Sequence, residues 1–210
     1  MKGGGDPVRG GRFRRGRLRK MSILRGRRRP DVTTVELVGG IEQRDLALAD
    51  YDPRWPETYV EHERRIRDAL GGAVRVEHTG STSVPGLAAK PIIDILVTVQ
   101  DITAEEDYLD QLLDAGYELR TREPGHRLVR TPARDVHVHV LEAGTQEAQD
   151  VVLFRDRLRS EPADRDLYER TKRALLSQDW SDMNAYSDAK SEVIAEIKRR
   201  ARTSSDAHSA

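Results

Sequence analysis

Gly80-Ser81-Thr82-Ser83 puts three hydroxyls and a run of backbone N–H groups together without a bulky side chain among them. Such a loop is built to meet a phosphate. Asp94 follows inside the apolar run Pro91 to Val99, where it alone carries charge. A carboxylate buried in a strand is costly unless it is paired, hydrogen-bonded or bound to metal, and that cost argues for a role. Further on, Val136, Val138 and Val140 alternate with His137, His139 and Leu141. A period of two sets both histidines on one sheet face, where neutral imidazole can ligate a transition metal or act as a base. Asp94 with His139 and His137 are therefore the candidates for catalysis. Asp94 and His139 are also candidate metal ligands, joined by His78, which stands just before the loop. Gly80, Ser81, Thr82, Ser83 and Lys90 are the candidates for gripping phosphate. Lys172, Arg54 and Arg155 could add positive charge, although each by itself fits a solvated surface. The plain alternative is a glycine turn beside an aspartate that caps backbone groups, with two polar residues on an open sheet face. A Ser81, His137, Asp94 hydrolytic triad lacks a nucleophile elbow and is set aside.

The elements that must hold these residues follow from periodicity. Short extended pieces around Val35 to Val38 and Leu46 to Leu48 lead to Asp52-Pro53, a helix start with Asp as cap and Pro at the first position. Trp55, Tyr59, His62, Ile66 and Leu70 then mark one helical face, ended by Gly71-Gly72, with His62 as a packed residue. Ala73 to His78 reads as a strand feeding the loop, and Pro91 to Val99 as a stronger one. Ile93, Ile95, Val97 and Val99 share one of its faces; Ile92, Asp94, Leu96 and Thr98 share the other. Thr103 and Glu106 form a capping box for a helix stopped by Gly116. Three alternating runs follow, Tyr117 to Arg122, His126 to Thr131 and Asp135 to Glu142, separated by Pro124-Gly125 and Thr131-Pro132-Ala133-Arg134. These predict hairpins. From Thr145 the pattern is helical, and three helices close the domain, with Met183, Tyr186, Val193, Ile194 and Ile197 on the last. Residues 202–210 are small and polar and are expected to fray as a disordered tail.

Composition narrows the class. With 37% hydrophobic and 34% charged residues over 210, the chain is that of one well-solvated globular domain. No run approaches the roughly 18 apolar residues that cross a bilayer, so no membrane partner is expected. Cysteine is absent, which removes disulfides and thiol chemistry and fits a reducing, cytoplasmic setting. The net charge of zero is unevenly spread: residues 1–30 hold twelve of the 36 basic residues and one of the 36 acids. That Gly/Arg-rich extension is expected to be disordered and could touch nucleic acid weakly through phosphates. An idle extension, or a start at Met21, would account for it as well.

The segment Val76-Glu77-His78-Thr79-Gly80-Ser81-Thr82-Ser83-Val84-Pro85-Gly86-Leu87-Ala88-Ala89-Lys90-Pro91-Ile92-Ile93-Asp94 closely resembles the signature of the GrpB family. Asp50-Tyr51-Asp52-Pro53-Arg54-Trp55-Pro56 is similar to its upstream motif. His137-Val138-His139-Val140 and Phe154-Arg155-Asp156-Arg157-Leu158-Arg159 are similar to its downstream ones. The resemblance covers residues 35–201. It implies an α/β (α+β) fold, a nucleotidyltransferase-like mixed β-sheet flanked by helices, with about three helices at the C-terminal end. In the nucleotidyltransferase pattern Gly-Gly/Ser grips phosphate and paired acids hold divalent metal, which implies Mg²⁺ or another divalent ion as cofactor. It also implies a nucleotide or phosphorylated small molecule as ligand and nucleotidyl or phosphoryl transfer as the reaction. Leu96 stands where the second acid belongs, so the alternative is a non-catalytic, degenerate binding or accessory module. Members of the family often carry a dephospho-coenzyme A kinase label through gene fusion, but no Gly-Lys-Ser/Thr follows Gly86 here, and kinase activity is not expected.

Overall fold

Valine and isoleucine placed at every second position make strands, and six of them join into one sheet in a computed structural model of the chain. The structure describes Met1 and residues 30–40, 47–72, 74–176 and 189–208, with side chains through Ser204. The basic extension and the positions Leu46, Ala73, Met183 and Tyr186 lie outside the described residues.

The strands are β1 (Glu36–Leu37), β2 (Arg75–Thr79), β3 (Ile93–Val99), β4 (Glu118–Glu123), β5 (His126–Arg130) and β6 (Val136–Glu142). Their order across the sheet is β1-β4-β5-β6-β3-β2, with β3 and β6 parallel and every other pair antiparallel. The helices are α1 (Trp55–Leu70), α2 (Leu109–Asp114), α3 (Gln146–Ser160), α4 (Pro162–Leu176) and α5 (Ser191–His208). This is the expected mixed sheet flanked by helices, with three described helices at the C-terminal end.

Alternation divides the apolar residues between the two sheet faces. Ile93, Ile95 and Val97 of β3 and Val136, Val138 and Val140 of β6 pack with Trp55 and Ile66 of α1 and Leu109 and Leu112 of α2. Each such side chain contributes roughly 1.5–3 kcal/mol by leaving water. On the opposite face Leu96 and Leu141 pack with Ala148 of α3. A third cluster joins the loop residues Val84 and Leu87 to Leu158 of α3, Tyr168 of α4 and Ile197 of α5. The loop after β2 is thus clamped between the sheet and the C-terminal helices.

Three local expectations are corrected. Helix α1 starts at Trp55, not Pro53; Asp52 accepts from the Arg54 N–H (2.9 Å) and so orders the turn that precedes the helix. Thr103 caps nothing, because Asp101 captures both its N–H (2.9 Å) and its hydroxyl (2.6 Å). In place of one helix, residues 105–107 form a 3₁₀ turn before the short α2. Finally, α5 runs to His208, beyond the Ala201 at which fraying was expected, and Arg202 on it pairs with Asp150 of α3 at 2.5 Å.

Candidate metal and phosphate site

Parallel pairing of β3 with β6 sets Asp94 opposite His137 and Leu96 opposite His139. Because β6 presents both histidines on the face that carries Asp94, the three side chains converge. His139 Nε2 lies 3.5 Å from Asp94 Oδ1, and His137 Nδ1 lies 3.8 Å from the same oxygen. One ligand atom from each of the three falls within 4.8 Å of the others. Ligands held about 2.1 Å from a tetrahedral ion stand roughly 3.4 Å apart, so small rotations would close this set on a cation. The side chains remain 30% (Asp94), 20% (His137) and 32% (His139) exposed, which leaves the group reachable from solvent. Burial pushes the Asp94 carboxyl up, but the hydrogen bond and charge of His139, with His137 and Lys190, outweigh it and hold the carboxyl below its ordinary pKa.

Two imidazoles and one carboxylate suit a first-row transition ion such as Mn²⁺, Fe²⁺ or Zn²⁺. Mg²⁺ prefers an all-oxygen shell and fits this donor set poorly. The second acid of a two-metal site has no counterpart at its expected position. Leu96 is fully buried there, packed beneath α3.

Gly80 is what lets the loop touch the acid. Its φ of 66° and ψ of −175° lie where side chains are rarely tolerated, and an added Cβ would sit 2.2 Å from Asp94 Oδ2. The remaining loop hydroxyls have separate tasks. Ser83 Oγ donates to the Gly80 carbonyl (2.7 Å), and Thr82 Oγ1 donates to the Ile92 carbonyl (3.2 Å), so these two hold the loop's shape. Ser81 Oγ instead accepts from Lys172 Nζ of α4 at 3.2 Å, while the same ammonium donates to the Ala88 carbonyl at 2.5 Å. Burial, and then the charge of Lys190, lower the Lys172 pKa to about 7. Lys190, also lowered by burial, bears electrostatically on Asp94. One lysine, Lys172, thus meets the loop at Ser81, and another, Lys190, acts on Asp94.

His78 does not join the ligand group. It shares the sheet face of Val76, stacks on Tyr59 of α1 (4.7 Å between centroids) and sets Nε2 3.2 Å from Thr82 Oγ1. The Thr82 hydroxyl proton is already committed to Ile92, so His78 donates there, and burial lowers its pKa to about 4. Arg155 binds Glu77 (2.7 Å), Asp156 (2.8 Å) and the His78 carbonyl (3.1 Å), tying β2 to α3 rather than facing a ligand. Arg54 pairs with Asp52 at the surface. Lys90 stands half-buried in the turn before β3. His62 is a packed helix residue, with Nδ1 2.7 Å from the Tyr117 hydroxyl.

Sequence reasoning missed Lys190, and it missed His126, whose Nε2 lies 3.1 Å from His139 Nδ1 while its Nδ1 lies 3.2 Å from Glu123. Burial, then the charge of His139, hold the His126 imidazole below its ordinary pKa.

Comparison with known proteins agrees with the signature. The family model described as GrpB protein matches residues 45–200. The UPF0157 protein SCO7215 of Streptomyces coelicolor is 69% identical over 181 residues, 86% of this chain and 97% of that one. The UPF0157 protein BH1888 of Halalkalibacterium halodurans is 48% identical over 160 residues, 74% of this chain and 82% of its own. Among solved structures, the crystal structure of conserved protein GrpB from Enterococcus faecalis superposes with a TM-score of 0.65 at 34% identity. That match takes in 74% of this chain and 96% of the other. On a family model spanning most of its length and relatives matched nearly end to end, the chain belongs to the GrpB family.

Proposed function

We propose that the protein binds a nucleotide or another phosphorylated small molecule, with a divalent transition-metal ion held by Asp94, His137 and His139 between protein and phosphate. The observation that carries this reading is the convergence of those three side chains beside a loop whose Ser81 hydroxyl is held by Lys172. A bound divalent ion would supply Lewis acidity and neutralise phosphate charge. The chain's own part is to orient. Ser81, Lys172 and Lys190 draw the anion toward the acid, and Gly80 brings the loop backbone against the carboxylate. Nucleotidyl or phosphoryl transfer is the reaction such an arrangement would serve.

A second reading, binding without chemistry, is favoured by Leu96. Its full burial in place of a second acid argues against a two-metal centre.

A thermal-shift screen of nucleotides and coenzyme A precursors, with Mn²⁺, Zn²⁺ or Mg²⁺ and without metal, tests the proposal on wild type and Asp94→Asn. A metal-dependent rise in Tm with at least one phosphorylated ligand is expected for wild type, and its loss for the variant. At ligand near a hundred times Kd the stabilisation should be about 2.7 kcal/mol. No shift with any ligand would sink the phosphate reading. An undiminished shift in Asp94→Asn would leave a binder in which Asp94 is structural.

A further inference from the structure

Two polar groups on the same sheet face stand behind the ligands and have no part in the reading above. His126 of β5 lies edge to edge with His139, centroids 5.2 Å apart and planes 9° from parallel, so that their nitrogens meet nearly in one plane. Glu123 closes β4 beside it. Contacts run from Glu123 Oε2 to His126 Nδ1 (3.2 Å), from His126 Nε2 to His139 Nδ1 (3.1 Å), and from His139 Nε2 to Asp94 Oδ1 (3.5 Å). Both nitrogens of both rings are used.

Following the hydrogens along this row fixes its direction. A carboxylate accepts and cannot donate, so the His126 nitrogen facing Glu123 carries the hydrogen. In neutral imidazole the other nitrogen then holds a lone pair and accepts. The His139 nitrogen facing it must donate in turn, which in a neutral ring leaves His139 Nε2 with a lone pair aimed at a carboxylate oxygen 3.5 Å away. Two electron-rich atoms at that separation need something positive between them. A proton on Nε2 supplies it when the ring is an imidazolium, the form in which it holds the Asp94 carboxyl down, and a metal ion ligated by both takes that proton's place.

We infer that Glu123 and His126 are positioning residues, which set the tautomer of His139 so that Nε2, and not Nδ1, is presented to a transition-metal ion. This rests on the metal reading of the site. Outer hydrogen-bond partners of metal-bound histidines fix ring orientation and raise ligand basicity, and their removal typically costs 10–100-fold in metal affinity. His126 adds orientation through the hydrogen bond in the shared ring plane, while Glu123 fixes the sense of the whole row.

The experiment has two arms on the full chain without a tag. Long-range ¹H–¹⁵N correlation NMR of the metal-free protein above pH 8 reads which ring nitrogen of His139 carries the hydrogen. Nδ1–H is expected in wild type and a shift toward Nε2–H in His126→Phe, which keeps an aromatic ring in place but no acceptor nitrogen; Nε2–H in wild type overturns the relay whatever metal does. Calorimetric titration with Zn²⁺ is the second arm. His126→Phe is expected to bind about 10–100-fold more weakly than wild type. Glu123→Gln, which keeps an acceptor oxygen, should lose less than His126→Phe. Wild-type affinity in His126→Phe alongside weak binding by Asp94→Asn overturns the relay and spares the metal site. Wild-type affinity in Asp94→Asn, or no Zn²⁺ uptake by wild type, overturns the metal reading and the relay with it.

Discussion

At the scale of single residues, Gly80 and Asp94 define each other. The carboxylate occupies the volume where a Cβ on residue 80 would stand, and the backbone there has φ of 66°. Gly80→Ala should therefore cost at least about 2 kcal/mol from backbone strain, before the clash with Asp94 is counted. Chemical denaturation would measure this, and a loss under about 0.5 kcal/mol, the level of a neutral surface change, would contradict the close approach. Asp94, His137 and His139 were legible in the sequence because a two-residue period assigns faces without reference to the rest of the fold. His126 was not. Its partnership with His139 depends on the register of β5 against β6, where Leu128 and not His126 lies directly opposite His139, and one strand's sequence does not disclose its partner's register. His78 was misjudged as a ligand for a related reason. Its place just before the loop was visible, but its face, toward Tyr59 and away from Asp94, follows from how β2 pairs with β3.

At the scale of elements, β2 and the loop that follows are locked together by His78. The imidazole stacks on Tyr59, donates to Thr82 and is held neutral, its pKa lowered by burial from 6.5 to about 4. A histidine whose pKa is lower in the folded than in the unfolded state takes up its proton more readily on unfolding. Stability is lost as pH falls from 6.5 through 4 and is unaffected by this group above that window. The full loss from a shift of this size is about 3 kcal/mol. Urea denaturation of wild type and His78→Gln between pH 7 and 4 should show the gap between them changing by that order in favour of the variant as pH falls. Parallel curves would remove His78 as the cause. Most element boundaries were readable, since Pro124-Gly125 and the four residues 131–134 punctuate the hairpins. The helix predicted from Thr103 failed because Asp101, two residues earlier, competes for the same N–H and hydroxyl.

At the scale of the whole molecule, the candidate site is assembled only because distant parts of the chain meet. The loop and β3 supply Gly80, Ser81 and Asp94, β6 supplies the histidines, and α4 lays Lys172 across the loop. The parallel junction of β3 and β6, which joins acid to imidazoles, is made across two intervening strands of sequence, and alternation alone says nothing about it. Nor does helical periodicity identify Lys172, which lies buried against Ser81, Ala88 and the ring of Tyr168, as the cation that reaches the loop among several on its helix. Anomalous diffraction from crystals soaked in Mn²⁺ or Zn²⁺ reads this assembly directly. One strong peak per chain is predicted, within bonding distance of Asp94 Oδ1, His137 Nδ1 and His139 Nε2, and absent from Asp94→Asn crystals. A peak ligated elsewhere, or none beside Asp94 at a metal concentration that saturates the protein in solution, would contradict the account.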